Sequence, residues 1–288
     1  MHLLLTNDDG IGSPGLAALY EALSEIATVT VVAPAADQSG VGRTRSDLSY
    51  ELENRITIDD HEWGYVVDGT PADCVAVGLR HIPEAEEIDL VVSGANDGPN
   101  VGSYILGHSG TVGAAVEAAF LGTPAVAVSG YDRETYFPED NDDRSFGPIA
   151  AATRDLLALL DGRVFDGAVD YLNVNVPTEP ADRVVVTRPL ADYDTAVVPA
   201  DDEREAFESN YWATHPVDGD GFPIGLDRYA GDYPDWSDRA AIVDGAISLT
   251  PLGTPQSIVD TPPALAELVE RYNAEAEAAA EAEADAEP

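Results

Sequence analysis

Apolar residues along the first half of the chain fall into short blocks, each closed by a turn rich in Gly, Asp, Asn or Pro. The continuous apolar run His2–Thr6 reads as a buried strand. Pro14 suits a first helical turn, and Leu16, Leu19, Tyr20 and Leu23 follow at helical spacing. The β-branched block Thr28–Ala33 (TVTVVA) reads as a second strand. Tyr65–Val67 predicts another strand, followed by the turn DGTPADC and a helix over Cys74–Leu79. Asp89–Ser93 predicts a strand that ends at the loop GANDGPNVG. Thr111–Leu121 reads as a helix with Val112, Ala115, Val116, Ala119 and Phe120 facing inward, and Ala125–Ser129 as the next strand. Strands alternating with helices predict an α/β fold, a Rossmann-like, doubly wound and mostly parallel sheet.

Beyond residue 145 the pattern predicts a helix over Ile149–Leu160 and strands over Tyr171–Val176, Arg183–Thr187 and Ala246–Thr250. Residues 190–240 differ: they are polar, dense in Asp, Gly and Pro, and carry Tyr211, Trp212, Tyr229, Tyr233 and Trp236. Four regions follow. Residues 1–189 are expected to form a Rossmann-like core that would carry any catalytic site, and 190–240 an aromatic-bearing arm or small subdomain suited to oligomerisation. Residues 241–272 hold a late strand and a helix beginning at Leu265–Tyr272, and 273–288 are an acidic low-complexity tail.

Charge narrows the function. The 288 residues include 54 acidic and 14 basic ones, a formal charge of −40, and every base is arginine. A nucleic-acid partner needs a basic surface, and an anionic membrane would repel this one. Hydrophobic residues make up 44% of the chain, enough for a core, so the acidity reads as a halophilic surface screened by molar salt. No run of about 18 apolar residues is present, and the first residues lack the basic stretch of a signal peptide. A cytoplasmic location is expected. The single cysteine, Cys74, excludes an internal disulfide.

The first glycine turn poses a chemical problem. In LLLTNDDGIGSPG, the spacing Gly10-x-Gly12-x-x-Gly15 suits a dinucleotide pyrophosphate, but Asp8 and Asp9 stand beside it. Like charges repel in a cleft, and the second strand closes on Ala33-Pro34 without the acid a ribose needs. A divalent cation removes the conflict, because two carboxylates are hard ligands for Mg²⁺ or Mn²⁺. The plainer alternative is that one aspartate caps the following helix. Parallel topology brings further oxygen donors to the same sheet edge: Ser39 in APAADQSG, and Asn96 and Asn100 in SGANDGPN. Ser39 and Asn96 could complete a metal shell there. Ser109-Gly110-Thr111 opens a helix and so forms an anion site or an ordinary N-cap. His108 is placed to donate to a phosphate, although a lone loop histidine is usually incidental.

LLTNDDGIGSPG, VVAPAADQSG, DGTPADCV, VVSGANDGPNVG, SGTVGAA, GTPAVAVS, LNVNVP and DGAISLTPL, in this order, resemble the SurE family of survival proteins, metal-dependent 5′/3′-nucleotidases. The resemblance implies a Rossmann-like core with a swapped, hairpin-bearing C-terminal extension that builds homodimers or homotetramers. It implies one divalent cation held by Asp8, Asp9, Ser39 and Asn96, with phosphate contacts at Asn96, Asn100, Ser109, Gly110 and Thr111. His108 stands where the family usually has tyrosine. The expected reaction is hydrolysis of nucleoside 5′-monophosphates, or 3′-monophosphates, by metal-activated water, with Asp8 and Asp9 as the catalytic residues that accept a proton or orient the water. The alternatives are a non-catalytic nucleotide or phosphate sensor on the same scaffold, and a phosphatase that leans toward polyphosphate.

Overall fold

The computed structural model describes residues 1–46, 56–133, 145–160, 162–165, 168–181, 183–191, 196–199, 207–210 and 233–254. The strands are β1 (His2–Thr6), β2 (Thr28–Pro34), β3 (Ile58–His61), β4 (Gly64–Val67), β5 (Leu90–Asp97), β6 (Ala125–Tyr131), β7 (Tyr171–Pro177), β8 (Val184–Val186), β9 (Ala196–Pro199), β10 (Phe207–Asn210) and β11 (Ile247–Leu252). The helices are α1 (Pro14–Leu23), α2 (Pro71–Arg80), α3 (Ser103–His108), α4 (Gly110–Phe120), α5 (Gly147–Leu159) and α6 (Asp238–Val243).

The main sheet runs β3-β4-β2-β1-β5-β6-β7-β11-β8. Its core from β4 to β7 is parallel, and β3 and β11 pair antiparallel with β4 and β7. Strand pairing turns one way from β1 to β2 and the other from β1 to β5, which puts the topological switch point between β1 and β5. The Rossmann-like reading holds. Strand β1 shows why both faces must be covered: Leu3 and Leu5 enter the cluster under α1 and α5, while Leu4 enters the one under α2 and α4. Strand β11 lies between β7 and β8 of this same sheet, and β9 and β10 form a separate antiparallel pair.

Three expectations change. Strand β5 does not stop at Ser93; it continues to Asp97, with its register against β6 shifted between Ser93 and Asn96. That irregularity carries Asn96 and Asp97 out along the sheet edge. Strand β3 forms although IDDH lacks an apolar alternation, because it is the antiparallel edge partner of β4. On α4, Phe120 does not face inward: it is half exposed beneath the Arg43 guanidinium, while Glu117 is buried. Tyr211, Trp212, Tyr229, the helix expected from Leu265 and the acidic tail lie outside the described residues. Trp236 is exposed, and Cys74 is buried and free. Among the described residues no helix is long and apolar enough to cross a membrane.

Candidate active site

The aspartate pair follows directly from β1. Asp8 is 3% exposed and Asp9 half-buried. Neither caps α1, since Ser13 does: its hydroxyl accepts from Leu16 N at 3.3 Å. The Asn7 amide holds that cap, donating to Ser13 Oγ at 2.8 Å and to the Gly10 carbonyl at 2.9 Å. With capping assigned elsewhere, both carboxylates are left for other chemistry. The glycines serve backbone geometry. Gly10 has φ +93°, and a Cβ on Gly15 would lie 2.1 Å from the Ala95 carbonyl, so only glycine lets α1 approach β5 this closely.

Helix α4 points its N-terminus at Asp8. Ser109 caps α4, accepting from Val112 N at 3.1 Å. The Thr111 hydroxyl, fully buried, donates to Asp8 Oδ1 at 2.5 Å. A Cβ on Gly110 would lie 2.8 Å from both Cβ and Oδ2 of Asp8. The expected phosphate turn and the expected metal ligand are therefore in direct contact.

Burial pushes the Asp8 carboxyl up; its bonds with the Thr111 hydroxyl and nearby backbone N–H groups pull it down, and the Asp37 charge pushes up again. Asp9 is pushed up to about 7, first by burial and then by the charges of Asp8, Asp37 and Asp97, with the Asp97 N–H opposing. Two adjacent desolvated carboxylates, with the charges of Asp37 and Asp97 beside them, suit a cation. Asn7 adds to this fit, since its buried Oδ1 has no hydrogen-bond partner. Among the described residues no group of three or more His, Cys, Asp or Glu side chains could hold a metal. The aspartate pair and neutral oxygens are hard donors of the kind that suit Mg²⁺ or Mn²⁺.

The other predicted residues lie around this contact in different ways. Ser39 is exposed on the loop after β2, its N–H donating to Asp37 Oδ1 at 2.7 Å; the preceding residue, Gln38, donates its N–H to the Asp8 carbonyl at 2.7 Å. Asn96 is half-buried at the end of β5, its amide nitrogen held by the Gly98 carbonyl at 2.6 Å. Asn100 belongs to a buried amide network. Its N–H donates to Asn175 Oδ1 at 2.8 Å and its side chain to Ser129 Oγ at 2.9 Å, while its carbonyl accepts from Asn173 and Asn175. This pins the GPN turn to β6 and β7. His108 is exposed, its ring 4.7 Å from that of Tyr104.

Sequence reading missed four contributors: Asn7, the Asn173/Asn175 pair and Asp238. Asp238 is fully buried and accepts from Gly102 N at 2.7 Å and Leu190 N at 3.3 Å, tying α6 to the turn after Asn100. LNVNVP carried a signal for the pair, since two asparagines on one face of an otherwise apolar strand need buried partners.

The chain matches the family model described as Survival protein SurE over residues 3–195. It is 44% identical to the 5′-nucleotidase SurE of Halobacterium salinarum, over 88% of this chain and 92% of that one. It is 42% identical to the 5′-nucleotidase SurE of Natronomonas pharaonis, over 94% of this chain and 100% of that one. The crystal structure of the SurE protein from Aquifex aeolicus superposes with a TM-score of 0.67 at 32% identity, covering 89% of this chain and 95% of that one.

Proposed function

This chain belongs to the SurE family, and from that premise we propose that it is a phosphomonoesterase releasing phosphate from nucleoside 5′-monophosphates. In this reading Asp8, Asp9, Ser39 and Asn96 hold one Mg²⁺ or Mn²⁺ per subunit. The observation that carries it is the contact of a desolvated carboxylate, Asp8, with the N-terminus of α4 at the sheet's switch point. The relatives named 5′-nucleotidase support the substrate class.

A cation held by these residues would supply Lewis-acid activation of water and offset phosphoryl charge. The protein's own residues do the rest. The Thr111 hydroxyl orients Asp8. The Ser109 N–H is held by the Ile105 carbonyl at 3.0 Å, so at the positive end of α4 Gly110 offers its N–H and Ser109 its hydroxyl hydrogen to phosphoryl oxygens. Preorganised donors of this kind stabilise charge as it shifts in the transition state. The aspartate pair takes the proton given up by the attacking water. Asn100 acts from behind, keeping the GPN turn against β6 and β7. A homodimer or homotetramer belongs to the same reading. The outermost strand β8 leaves Val184 and Val186 exposed, and light scattering reads the mass.

The test is phosphate release from AMP, GMP, UMP, a 3′-nucleotide and polyphosphate, in EDTA and after Mn²⁺ is added back. Metal-dependent release from 5′-nucleotides is expected. Binding of AMP without any release would turn the reading toward a nucleotide sensor.

A further inference from the structure

The loop after β2 carries Ser39 across the switch point, and its attachments can be followed in order. Gln38 N–H is held by the Asp8 carbonyl at 2.7 Å, and Gly42 N–H by the His108 carbonyl at 3.0 Å. A Cβ on Gly113 would lie 2.3 Å from the Gly42 carbonyl, so the loop runs in contact with α4. Thr70, the N-cap of α2, then donates its hydroxyl to the Thr44 carbonyl at 2.6 Å. The next residue, Arg45, reaches two helices at once. Its Nε donates to Asp73 Oδ1 at 3.0 Å and its Nη1 to Glu117 Oε1 at 2.8 Å.

Both carboxylates are unusual places for a charge. The Asp73 side chain is fully buried and that of Glu117 is 11% exposed; Arg45 itself is 16% exposed. Asp73 already serves the capping box of α2, accepting from Thr70 N at 2.9 Å. Glu117 lies two turns down the helix whose first turn touches Asp8. Burial of such acids must be offset by hydrogen bonds or by a charged partner, and Arg45 is the charged partner that these two share. A planar guanidinium can serve two of them in fixed directions, and an ammonium cannot.

We propose that Arg45 is a positioning residue: by bridging Asp73 on α2 and Glu117 on α4 it anchors the far end of the Ser39 loop and sets how firmly Ser39 is presented to the aspartate pair. This rests on the reading that Ser39 joins a cation at Asp8 and Asp9. It adds a residue that touches neither metal nor substrate. In a chain whose only bases are arginines, Arg45 is spent inside the fold rather than on the acidic surface. The buried end of the loop is rigid through charge, while the Ser39 end stays exposed to receive a ligand.

The test is made on the full chain in molar KCl. Arg45→Gln alone leaves Glu117 with only Arg43 at 4.0 Å, so the informative variant is Arg45→Gln with Glu117→Gln, which removes one charge of each sign while Asp73 keeps the N–H groups of Thr70 and Ser46 as partners. Two readouts are taken: amide hydrogen exchange of the metal-free protein, and Mn²⁺ affinity by electron paramagnetic resonance. The double variant is expected to keep its circular dichroism spectrum, to exchange the Gly42 amide faster, and to bind Mn²⁺ about 10-fold to 100-fold more weakly, as when groups supporting metal ligands are lost. Turnover should recover as Mn²⁺ is raised. Arg45→Lys should fall between the native chain and the double variant. Native exchange at Gly42 together with native Mn²⁺ affinity would overturn the clamp. Asp8→Asn, measured alongside, tests the underlying reading separately. If it binds Mn²⁺ like the native chain, the cation site falls and the role of Arg45 toward it falls too; if it loses Mn²⁺ while the double variant does not, only the clamp falls.

Discussion

The Thr111 hydroxyl lies 2.5 Å from Oδ1 of Asp8, joining the first turn of α4 to the end of β1 across 103 positions of sequence. The bond is buried on both sides, and its acceptor is a charge taken out of water. It gives Asp8 a fixed direction and gives α4 a fixed partner. Thr111→Val keeps the shape and removes the donor. A hydrogen bond to a charged group contributes about 1.5–3 kcal/mol, so the freed carboxylate should rotate and hold a proton more readily. Mn²⁺ affinity is expected to fall about 10-fold to 100-fold, with the helical signal unchanged. A Mn²⁺ titration of the valine variant that overlays the native curve would remove Thr111 from the site.

Gly110 gives a second, steric probe of the same contact. Its backbone angle is an ordinary one, and alanine is a good residue for a first helical turn, so Gly110→Ala should not weaken α4 by propensity. Its new methyl would nonetheless meet Asp8 Cβ and Oδ2 at 2.8 Å. Asp8 must yield, because the helix is anchored by its cap and by the buried side chains of Thr111, Val112 and Ala115. Activity at limiting metal should drop well below native while the melting midpoint changes little. The outcome that rejects this is full activity at limiting metal with a large loss of stability, which would place the strain in the helix instead.

Much of this arrangement could be read in the chain. The apolar run of β1 stops at Asn7-Asp8-Asp9, and a parallel sheet must collect such strand ends at one edge, so the aspartates, Ser39, Asn96 and the Ser109 turn could be assigned to one place. What local pattern could not show are pairings made at long range. Asn100 reads locally as a phosphate contact, and its hydrogen bonds to β6 and β7, with partners 29 and 75 residues away, are legible only in the fold. The inward face of α4 departs from its apolar pattern for a related reason. Hydrophobicity favours burying Phe120 over Glu117, but Arg45 arrives from the loop after β2 to neutralise Glu117, and Arg43 covers the Phe120 ring from outside. Strand β5 outran its prediction because Gly94, at φ +137°, lets the strand bend through a register shift instead of ending.

Asp9 sets the expected response to pH. Its folded pKa is raised from 3.8 to about 7 in the metal-free protein. For a raised carboxyl, the favourable contribution is complete below the unfolded value and is lost as pH rises through the folded value. Metal-free native protein should therefore be less stable than Asp9→Asn at pH 8, and the difference should shrink as pH falls toward 5.5. Cation and proton compete for the same oxygens, so Mn²⁺ affinity should decline as pH drops through about 7. Paired melting curves in EDTA for the native and Asp9→Asn proteins read the first effect. A stability difference that does not change across that range would show that Asp9 is not desolvated.

Ionic strength should govern stability apart from any bound metal. The formal charge is −40, and of the few arginines one, Arg45, is engaged with buried acids rather than with the surface. Surface carboxylates are then left to repel one another, and salt is what separates them electrically. The screening length grows from about 3 Å at 1 M to about 10 Å at 0.1 M, so pairs that ignore each other in molar salt begin to interact on dilution. Each additional ~1 kcal/mol of repulsion lowers the midpoint by about 2–4 °C in a domain of ~150–250 residues. Lowering KCl from 1 M to 0.1 M in the presence of EDTA should thus cost several degrees, and more at pH 8 than at pH 5.5, where part of the charge is titrated away. Replacing KCl by an equal osmotic strength of sucrose should fail to restore the loss, because a neutral solute does not screen charge. A midpoint indifferent to KCl, or restored fully by sucrose, would mean that the acidic surface is not what sets the stability of this protein.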